Sequence, residues 1–230
     1  MAVIPWPLHP VPQGRRPAVP AADATAAGAW ALIRSRRTVL PKRLVAPGPS
    51  ATELSAILDA AAHAPDHGQL LPWRFVLVPE AARAVLAEVF AQALRERDGA
   101  AAPEQLALAR EKAYRAPVLL LAVVDTSRGD PRIDLPERLV SAGCALQNML
   151  LLATAQGYGS ALTSGKALKA TGLRTLFGLG TEELALCFLS IGTVQARKSA
   201  ARARPAAASY VSTLGADGVV LPFESTKGLV

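Results

Sequence analysis

Two arginines and a threonine stand next to each other at Arg36, Arg37 and Thr38. Two guanidinium groups beside a hydroxyl can hold a phosphate in a fixed orientation, because each guanidinium can donate two parallel hydrogen bonds. The same cations can instead lie at the end of a helix, where they complement the partial negative charge of the last carbonyl groups. The sequence by itself leaves both interpretations open.

A loop rich in turn-forming residues runs from Pro65 to Pro72 and is followed by Trp73. Its His67 can donate a hydrogen bond to an anionic oxygen, and Trp73 can pack against a planar ligand. The alternatives are a loop histidine that bonds to nearby backbone and a tryptophan that belongs to the core. These alternatives also stay open.

A third segment, 157–165, has the sequence GYGSALTSG and combines glycines with small hydroxyl side chains. Its backbone N–H groups can approach a ligand closely, because glycine has no side chain to keep the ligand away. The spacing matches neither a P-loop nor the GxGxxG motif of dinucleotide-binding proteins. A helix end followed by an ordinary turn is the alternative interpretation of the same residues.

Standard hydrolase chemistry finds no support in this chain. Only three histidines are present, at positions 9, 63 and 67, and nothing pairs them with a nucleophile and a carboxylate. Cys144 lies in an apolar run, which is typical of a small core residue rather than of a nucleophile.

The elements that must position these segments follow from hydrophobic periodicity. A helix is predicted over 26–37 with Trp30, Leu32 and Ile33 facing inward, and a capping box at 50–53 begins a second helix. The other elements are strands at 75–78, 118–124 and 185–191 and helices at 80–97, 103–114, 136–156 and 168–177.

The helix predicted over 136–156 is apolar nearly all round, which indicates a central position or a subunit interface. The strand predicted over 118–124 is uniformly apolar and therefore buried on both faces. We expect a Pro- and Ala-rich arm over 1–24, one folded domain over 25–204 and an irregular tail over 205–230. The class is mixed α and β.

The composition restricts the class of protein. The 230 residues are 51% hydrophobic and only 19% charged, which excludes a disordered chain and indicates a large core or a surface covered by a partner subunit. The two cysteines show no disulfide or metal-ligand spacing, and no apolar stretch is long enough to span a membrane. We therefore expect a cytoplasmic protein with no bound metal.

The net charge of +7 is concentrated in two short clusters, at 34–43 and 197–204. Neither cluster has the interleaved aromatic residues that stack on bases, so both suit a small anion such as a phosphate at least as well as a nucleic acid. A basic protein associated with nucleic acid is the least favoured of the hypotheses, and it predicts DNA binding that falls steeply with salt.

Taken together, the segments resemble the FMN-dependent NAD(P)H nitroreductase family, especially its short, single-domain bacterial branch. The resemblance covers roughly residues 26–200. It rests on four segments in this order: Arg36-Arg37-Thr38, HAPDHGQLLPW at 63–73, ERLVSAGCALQNMLLLATAQGYGSALTSG at 137–165 and FLSIGT at 188–193.

The resemblance implies an α+β fold with a small central mixed sheet flanked by helices, and a homodimer formed through the long central helices. Two FMN sites would lie at the dimer interface, each built from both chains. The implied FMN-binding residues are Arg36, Arg37, Thr38, His63, His67, Leu162, Thr163, Ser164 and Arg197, with no catalytic residue besides the flavin.

Four positions depart from the family pattern. Leu71 stands where the family usually has Gln, and Leu162-Thr163 stands where it has Trp-Arg. His63 stands where the short branch commonly has an arginine that contacts FMN. The phosphate charge could then be met by Lys166, Arg197 or Lys198.

The expected activity is reduction of nitroaromatic, quinone or similar acceptors by NADH or NADPH, in a ping-pong mechanism with FMN as cofactor. Little acid–base machinery is needed, because the cofactor carries the hydride chemistry. The replaced arginines motivate one alternative, a flavin-binding protein without turnover that stores or senses flavin. We expect no nucleic-acid and no membrane partner.

Overall fold

A computed structural model describes residues 22–195 and 203–223 of the chain. The chain divides into two compact units, Met1–Gln195 and Ala196–Val230. Most of the arm expected over 1–24 lies outside the described residues.

The described residues form six α-helices and seven strands. The helices are α1 (Ala22–Ser35), α2 (Ala51–Asp59), α3 (Arg83–Arg97), α4 (Pro103–Glu111), α5 (Leu135–Ala155) and α6 (Thr171–Leu176). The strands are β1 (Leu44–Val45), β2 (Trp73–Leu77), β3 (Val118–Asp125), β4 (Gly159–Thr163), β5 (Glu183–Val194), β6 (Ser212–Leu214) and β7 (Val220–Pro222). Short 3-10 turns include Ala60–His63, His67–Gln69 and Lys166–Lys169.

The first five strands form one sheet in the order β1-β5-β3-β2, with β4 paired to β5. Every strand pair is antiparallel, whereas we expected a mixed sheet. The one parallel pairing in the described part of the chain is an isolated bridge between Thr38 and Ser160. Strand β3 is buried from Val118 to Val124, as its uniformly apolar sequence predicts.

Helices cover both faces of this sheet, which confirms the α+β class. On one face α2 and α5 pack on a core that includes Ile57, Met149 and Leu189, all fully buried. On the other face α3 and α6 pack on a core that includes Leu86 and Leu121.

Local signals set the start of α2 and the end of α5. The Ser50 hydroxyl accepts a hydrogen bond from Glu53 N, and the Ser50 N–H donates to the Glu53 carboxylate, which confirms the capping box. Helix α5 ends at Ala155, and Gly157 follows with a φ of +88°, in the left-handed region that glycine adopts without strain. The Tyr158 hydroxyl then donates to Glu53 at 2.9 Å and joins the two helices.

The inward orientation predicted for Trp30 and Ile33 on the first helix is wrong, whereas Leu32, predicted with them, is half-buried. Trp30 is 60% exposed and Ile33 is 51% exposed, so both point away from the core of their own chain. Helix α5 also exposes an apolar residue, Val140, which is 64% accessible. The sequence pattern marks an apolar face correctly but cannot tell whether the same chain or another one covers it.

The second unit contains more regular structure than the irregular tail that we expected. Within the described residues 203–223, β6 and β7 form an antiparallel hairpin in which Thr213 is opposite Leu221. No helix in the described part of the chain has the length and apolar character of a membrane span.

Candidate functional site

Strand β4 brings two of the predicted segments together. Thr38 forms the parallel bridge to Ser160, and the Val39 N–H donates to the Ser160 carbonyl oxygen at 3.0 Å. The segment with the paired arginines therefore runs alongside the strand that carries Leu162 and Thr163. No sequence-local signal joins these two parts of the chain.

A glycine makes this close approach possible. A Cβ atom placed on Gly159 would lie 2.6 Å from Val194 Cγ2 and 2.8 Å from Leu44 Cδ2, closer than such atoms pack. Any larger residue would push β1 and the end of β5 away from β4. Gly159 thus allows β1, β4 and the end of β5 to pack closely at this edge of the sheet.

A cavity of about 580 Å³ lies beside the end of β4; we call it the β4 cavity. Its volume falls within the range of small-molecule sites in proteins. The predicted residues Thr163 and Ser164 line it, followed by Lys166. Its apolar lining comes from Leu40, Phe90, Leu94, Leu108, Leu119, Leu168 and Phe188.

The charged residues that line the β4 cavity are all cationic. Four cationic residues line it, and none of the described residues in its lining is an aspartate or glutamate. They are Arg97, Lys112, Arg115 and Lys166. Of these, the sequence pointed only to Lys166, because the other three come from the end of α3 and from the turn after α4 and gather only in the folded chain.

The strand register separates the predicted β4 residues onto two faces. Thr163 is opposite Phe188 and lies on the cavity face, whereas Leu162 is opposite Leu189, which belongs to the core under α5. Leu162 is absent from the cavity lining and is 40% exposed. The two residues therefore cannot serve one ligand from the same side of the sheet.

Arg37 has the geometry of a helix cap. Its guanidinium donates to the carbonyl oxygen of Arg34, in the last turn of α1, and to that of Arg36 at 3.2 Å. This contact corresponds to the helix-end interpretation left open by the sequence. A guanidinium has five N–H donors, so the contact leaves Arg37 further donors for an anion.

The loop over 64–72, which we call the His67 loop, leads into β2. His67 Nδ1 lies 2.6 Å from Glu137 Oε2 in the first turn of α5. The Asp66 carboxylate accepts from the Leu71 N–H at 2.7 Å. Leu71 has a φ of +49°, a strained conformation for a side-chain-bearing residue that the Asp66 contact helps to hold.

A second loop, 125–133, packs against the His67 loop and supports it. A Cβ atom on Gly68 would lie 2.9 Å from Ile133 Cδ1, so the two loops pack without a gap. Arg138 is 1% exposed and holds the second loop by donating to the carbonyl oxygens of Arg128, Asp130 and Ile133 at 2.6, 2.9 and 2.9 Å.

Trp73 belongs to the core, which is one of the two interpretations that the sequence left open. Its ring packs 5.4 Å from that of Phe75 within the core under α5, and its indole N–H donates to the Ser141 hydroxyl at 3.1 Å. The tryptophan fixes the start of β2 rather than lining the β4 cavity.

The predicted site residues thus form two groups in one chain. Strands β3 and β4 pair with the same stretch of β5 from opposite sides, and β2 lies beyond β3. Three strand spacings, about 14 Å, therefore separate β4 from β2, into which the His67 loop leads. His63 is exposed and, like His67, is absent from the lining of the β4 cavity. Arg197 lies outside the described residues.

Comparison with known proteins gives a consistent result. Residues 33–193 match the model of the Nitroreductase family. A proposed NAD(P)H nitroreductase of Haemophilus influenzae is 33% identical over 165 residues, which cover 72% of this chain and 88% of that protein. YdjA of Escherichia coli strain K12, also a proposed NAD(P)H nitroreductase, is 33% identical over 170 residues, 73% of this chain and 89% of YdjA.

A solved structure shares the fold. It is that of a variant of NfnB, an FMN- and NADPH-dependent nitroreductase from sphigopyxis sp. strain HMH. The TM-score is 0.64 at 18% identity, and the match covers 81% of this chain and 99% of the NfnB chain. The family match and the relatives at 33% identity together establish that this chain belongs to the Nitroreductase family.

Proposed function

We propose that this chain is an FMN-dependent oxidoreductase that uses NADH or NADPH to reduce nitroaromatic, quinone or similar acceptors. The observation that carries the proposal is the pairing of Thr38 with β4, the strand that leads into Thr163 and Ser164 beside a cavity of ligand size. The names of the relatives, which cite NAD(P)H, and of NfnB, which cites FMN, support the same activity.

The donor set of the β4 cavity fits a flavin nucleotide. Such a cofactor needs an apolar surface for its ring, hydrogen-bond donors along the ring edge and cations for its phosphate. The cavity supplies Phe188 and its apolar neighbours, the hydroxyls of Thr163 and Ser164, and Lys166.

The separation of the predicted residues supports a shared site in a homodimer. His67 lies on the β2 side and Thr163 on the β4 side, so the two groups would meet around one flavin only across two chains. The exposed Trp30 on α1 and Val140 on α5 supply an apolar surface for that contact. We assign α1 and α5 to the dimer interface.

Within the site the residues of the protein bind the flavin and orient it. The flavin, when bound, supplies the hydride chemistry. Thr163 and Ser164 orient its ring edge, Lys166 and the Arg36–Thr38 segment offset its negative charge, and the apolar residues of the β4 cavity exclude water. Donor and acceptor use the same cavity in turn, which gives ping-pong kinetics.

A flavin-binding protein without turnover is the second candidate function. The observation that favours it is Thr163, which faces the cavity at a position where the resemblance to the family implies an arginine. Both functions suit the cytoplasm, and the free thiols of Cys144 and Cys187 are compatible with a reducing compartment.

Steady-state oxidation of NADH and NADPH by the FMN-loaded protein separates the two functions. We expect oxidation that saturates with a nitroaromatic or quinone acceptor and gives parallel lines in double-reciprocal plots. A yellow protein that oxidises neither donor with any acceptor would favour storage or sensing. A protein that cannot be loaded with FMN would contradict both.

A further inference from the structure

The cations of the β4 cavity are divided between two sides. Lys166 follows Ser164 on the side that we assign to the flavin. The opposite side is formed by α3, α4 and the turn after α4, and we call it the α3–α4 wall; its cationic residues are Arg97, Lys112 and Arg115. The proposed function gives these three cations no role.

The α3–α4 wall is both cationic and apolar. Phe90 and Leu94 on α3 and Leu108 on α4 line the same cavity as the three cations. An apolar surface beside positive charges suits a planar ligand with an anionic group, since the ring removes apolar surface from water and the anion pairs with a cation.

Two of these cations are available for a ligand. Arg115 is engaged by Glu111, whose carboxylate lies 3.2 Å away. Arg97 and Lys112 have no carboxylate partner among the described residues, in contrast to the nearby Arg110 of α4, which binds Glu88 at 2.7 Å. Positive charges without a partner that face one cavity raise the local concentration of anions.

We infer that the α3–α4 wall binds the anionic group of the electron acceptor, so that the preferred acceptors are planar compounds with a carboxylate. This inference rests on the proposed function, because it takes the flavin to lie against β4. Arg97 and Lys112 are then residues that determine specificity, and neither is needed to hold the cofactor.

The test compares two acceptors that differ only in charge, para-nitrobenzoate and its methyl ester, with the FMN-loaded protein. We expect a higher kcat/KM for the acid, and a preference that weakens with salt because the cations are exposed. Lys112→Met and Arg97→Met should each lower the preference about tenfold, the effect of one lost charge-assisted hydrogen bond. Arg95→Met, on the same helix α3 but outside the cavity lining, is the matched control and should leave the preference unchanged.

Two outcomes would overturn the inference. One is equal kcat/KM for acid and ester in the unsubstituted protein. The other is a rise in KM for NADPH, but not for NADH, in Lys112→Met with the acid preference intact, which would assign the wall to the phosphate of the donor.

Calorimetric titration of para-nitrobenzoate without any donor keeps this test separate from the proposed function. If turnover is absent but binding weakens about tenfold in Lys112→Met, the proposed function fails and the anion site stands. If turnover is present and the titration shows no binding that depends on Lys112 or Arg97, the anion site fails and the proposed function stands.

Discussion

Thr38 and Ser160 form a parallel backbone bridge although most of the domain separates them in sequence. This bridge places the paired arginines next to the strand that carries Thr163 at its end. Each segment alone is open to a structural explanation, since Arg37 does cap α1 and Gly157 does end α5. Their juxtaposition beside a cavity favours a ligand site.

The bridge should depend on the absence of a side chain at Gly159. Gly159→Ala would place a Cβ atom 2.6 Å from Val194 Cγ2, and overpacking of this kind costs about 1–3 kcal/mol. We expect a loss of that size in the free energy of unfolding in urea, and weaker FMN retention. Gly99→Ala is the control, because nothing lies within 4 Å of its added Cβ atom. Equal stability of both variants would contradict the packing at β4.

The exposed apolar face of α1 and α5 should be covered in solution by a second copy. Val140→Asp would place a carboxylate in that interface, where it lacks a partner, so we expect a monomer that fails to retain FMN. Light scattering after size-exclusion chromatography measures the mass. Val85→Asp is a matched control, since Val85 is 54% exposed on α3, away from this face. A dimer that persists in Val140→Asp would remove α5 from the interface.

Arg138 should control the position of the His67 loop. Arg138→Met leaves the buried carbonyl groups of the loop over 125–133 without donors, which we expect to cost about 3 kcal/mol. Because this loop supports the His67 loop, FMN affinity should fall as well. Arg128→Met, in the same loop, removes only an exposed side chain and should have little effect on either quantity. If the two variants behave alike in urea unfolding and FMN titration, Arg138 does not support the loop.

The ion pair between Arg74 and Glu183 should make stability depend on pH. Two hydrogen bonds, at 2.6 and 2.9 Å, lower the pKa of the Glu183 carboxyl below its usual value. The resulting stability is present above the carboxyl pKa of the unfolded chain and is lost as the pH falls through the lowered pKa of the folded chain. The Arg74 side chain is 41% exposed, so solvent screening limits the contribution to about 1 kcal/mol.

Glu183→Gln tests this dependence in urea unfolding. We expect the variant to be less stable than the unsubstituted protein at about pH 7, and this deficit to shrink at about pH 3, because the stability from the pair is lost as the pH falls through the lowered carboxyl pKa of the folded chain. An equal deficit at both values would mean that the pair contributes through packing rather than charge.

Much of the fold follows from local signals in the sequence. Gly157 ends α5 by its positive φ, and the capping box begins α2, because each depends on residues within one or two turns. The strand over 118–124 was predicted for a similar reason, since its uniformly apolar residues require burial on both faces.

Other features of the structure depend on contacts between distant parts of the chain, so local signals in the sequence do not predict them. Trp30 was expected to face inward, but its periodicity marks only an apolar face and not the chain that covers it. The cations of the α3–α4 wall were missed because Arg97 ends α3, Lys112 begins the turn after α4, and the two meet only through tertiary packing. The strand order that separates His67 from Thr163 is likewise set by long-range pairing.

An absorbance spectrum tests the central claim most directly. The purified protein is incubated with FMN, passed through a desalting column and then treated anaerobically with NADH or NADPH. We predict a flavin spectrum that is retained after desalting and bleached by at least one of the two donors. A colourless protein after desalting would contradict the assignment of Thr38, Thr163 and Ser164 to an FMN site, and with it the proposed oxidoreductase activity.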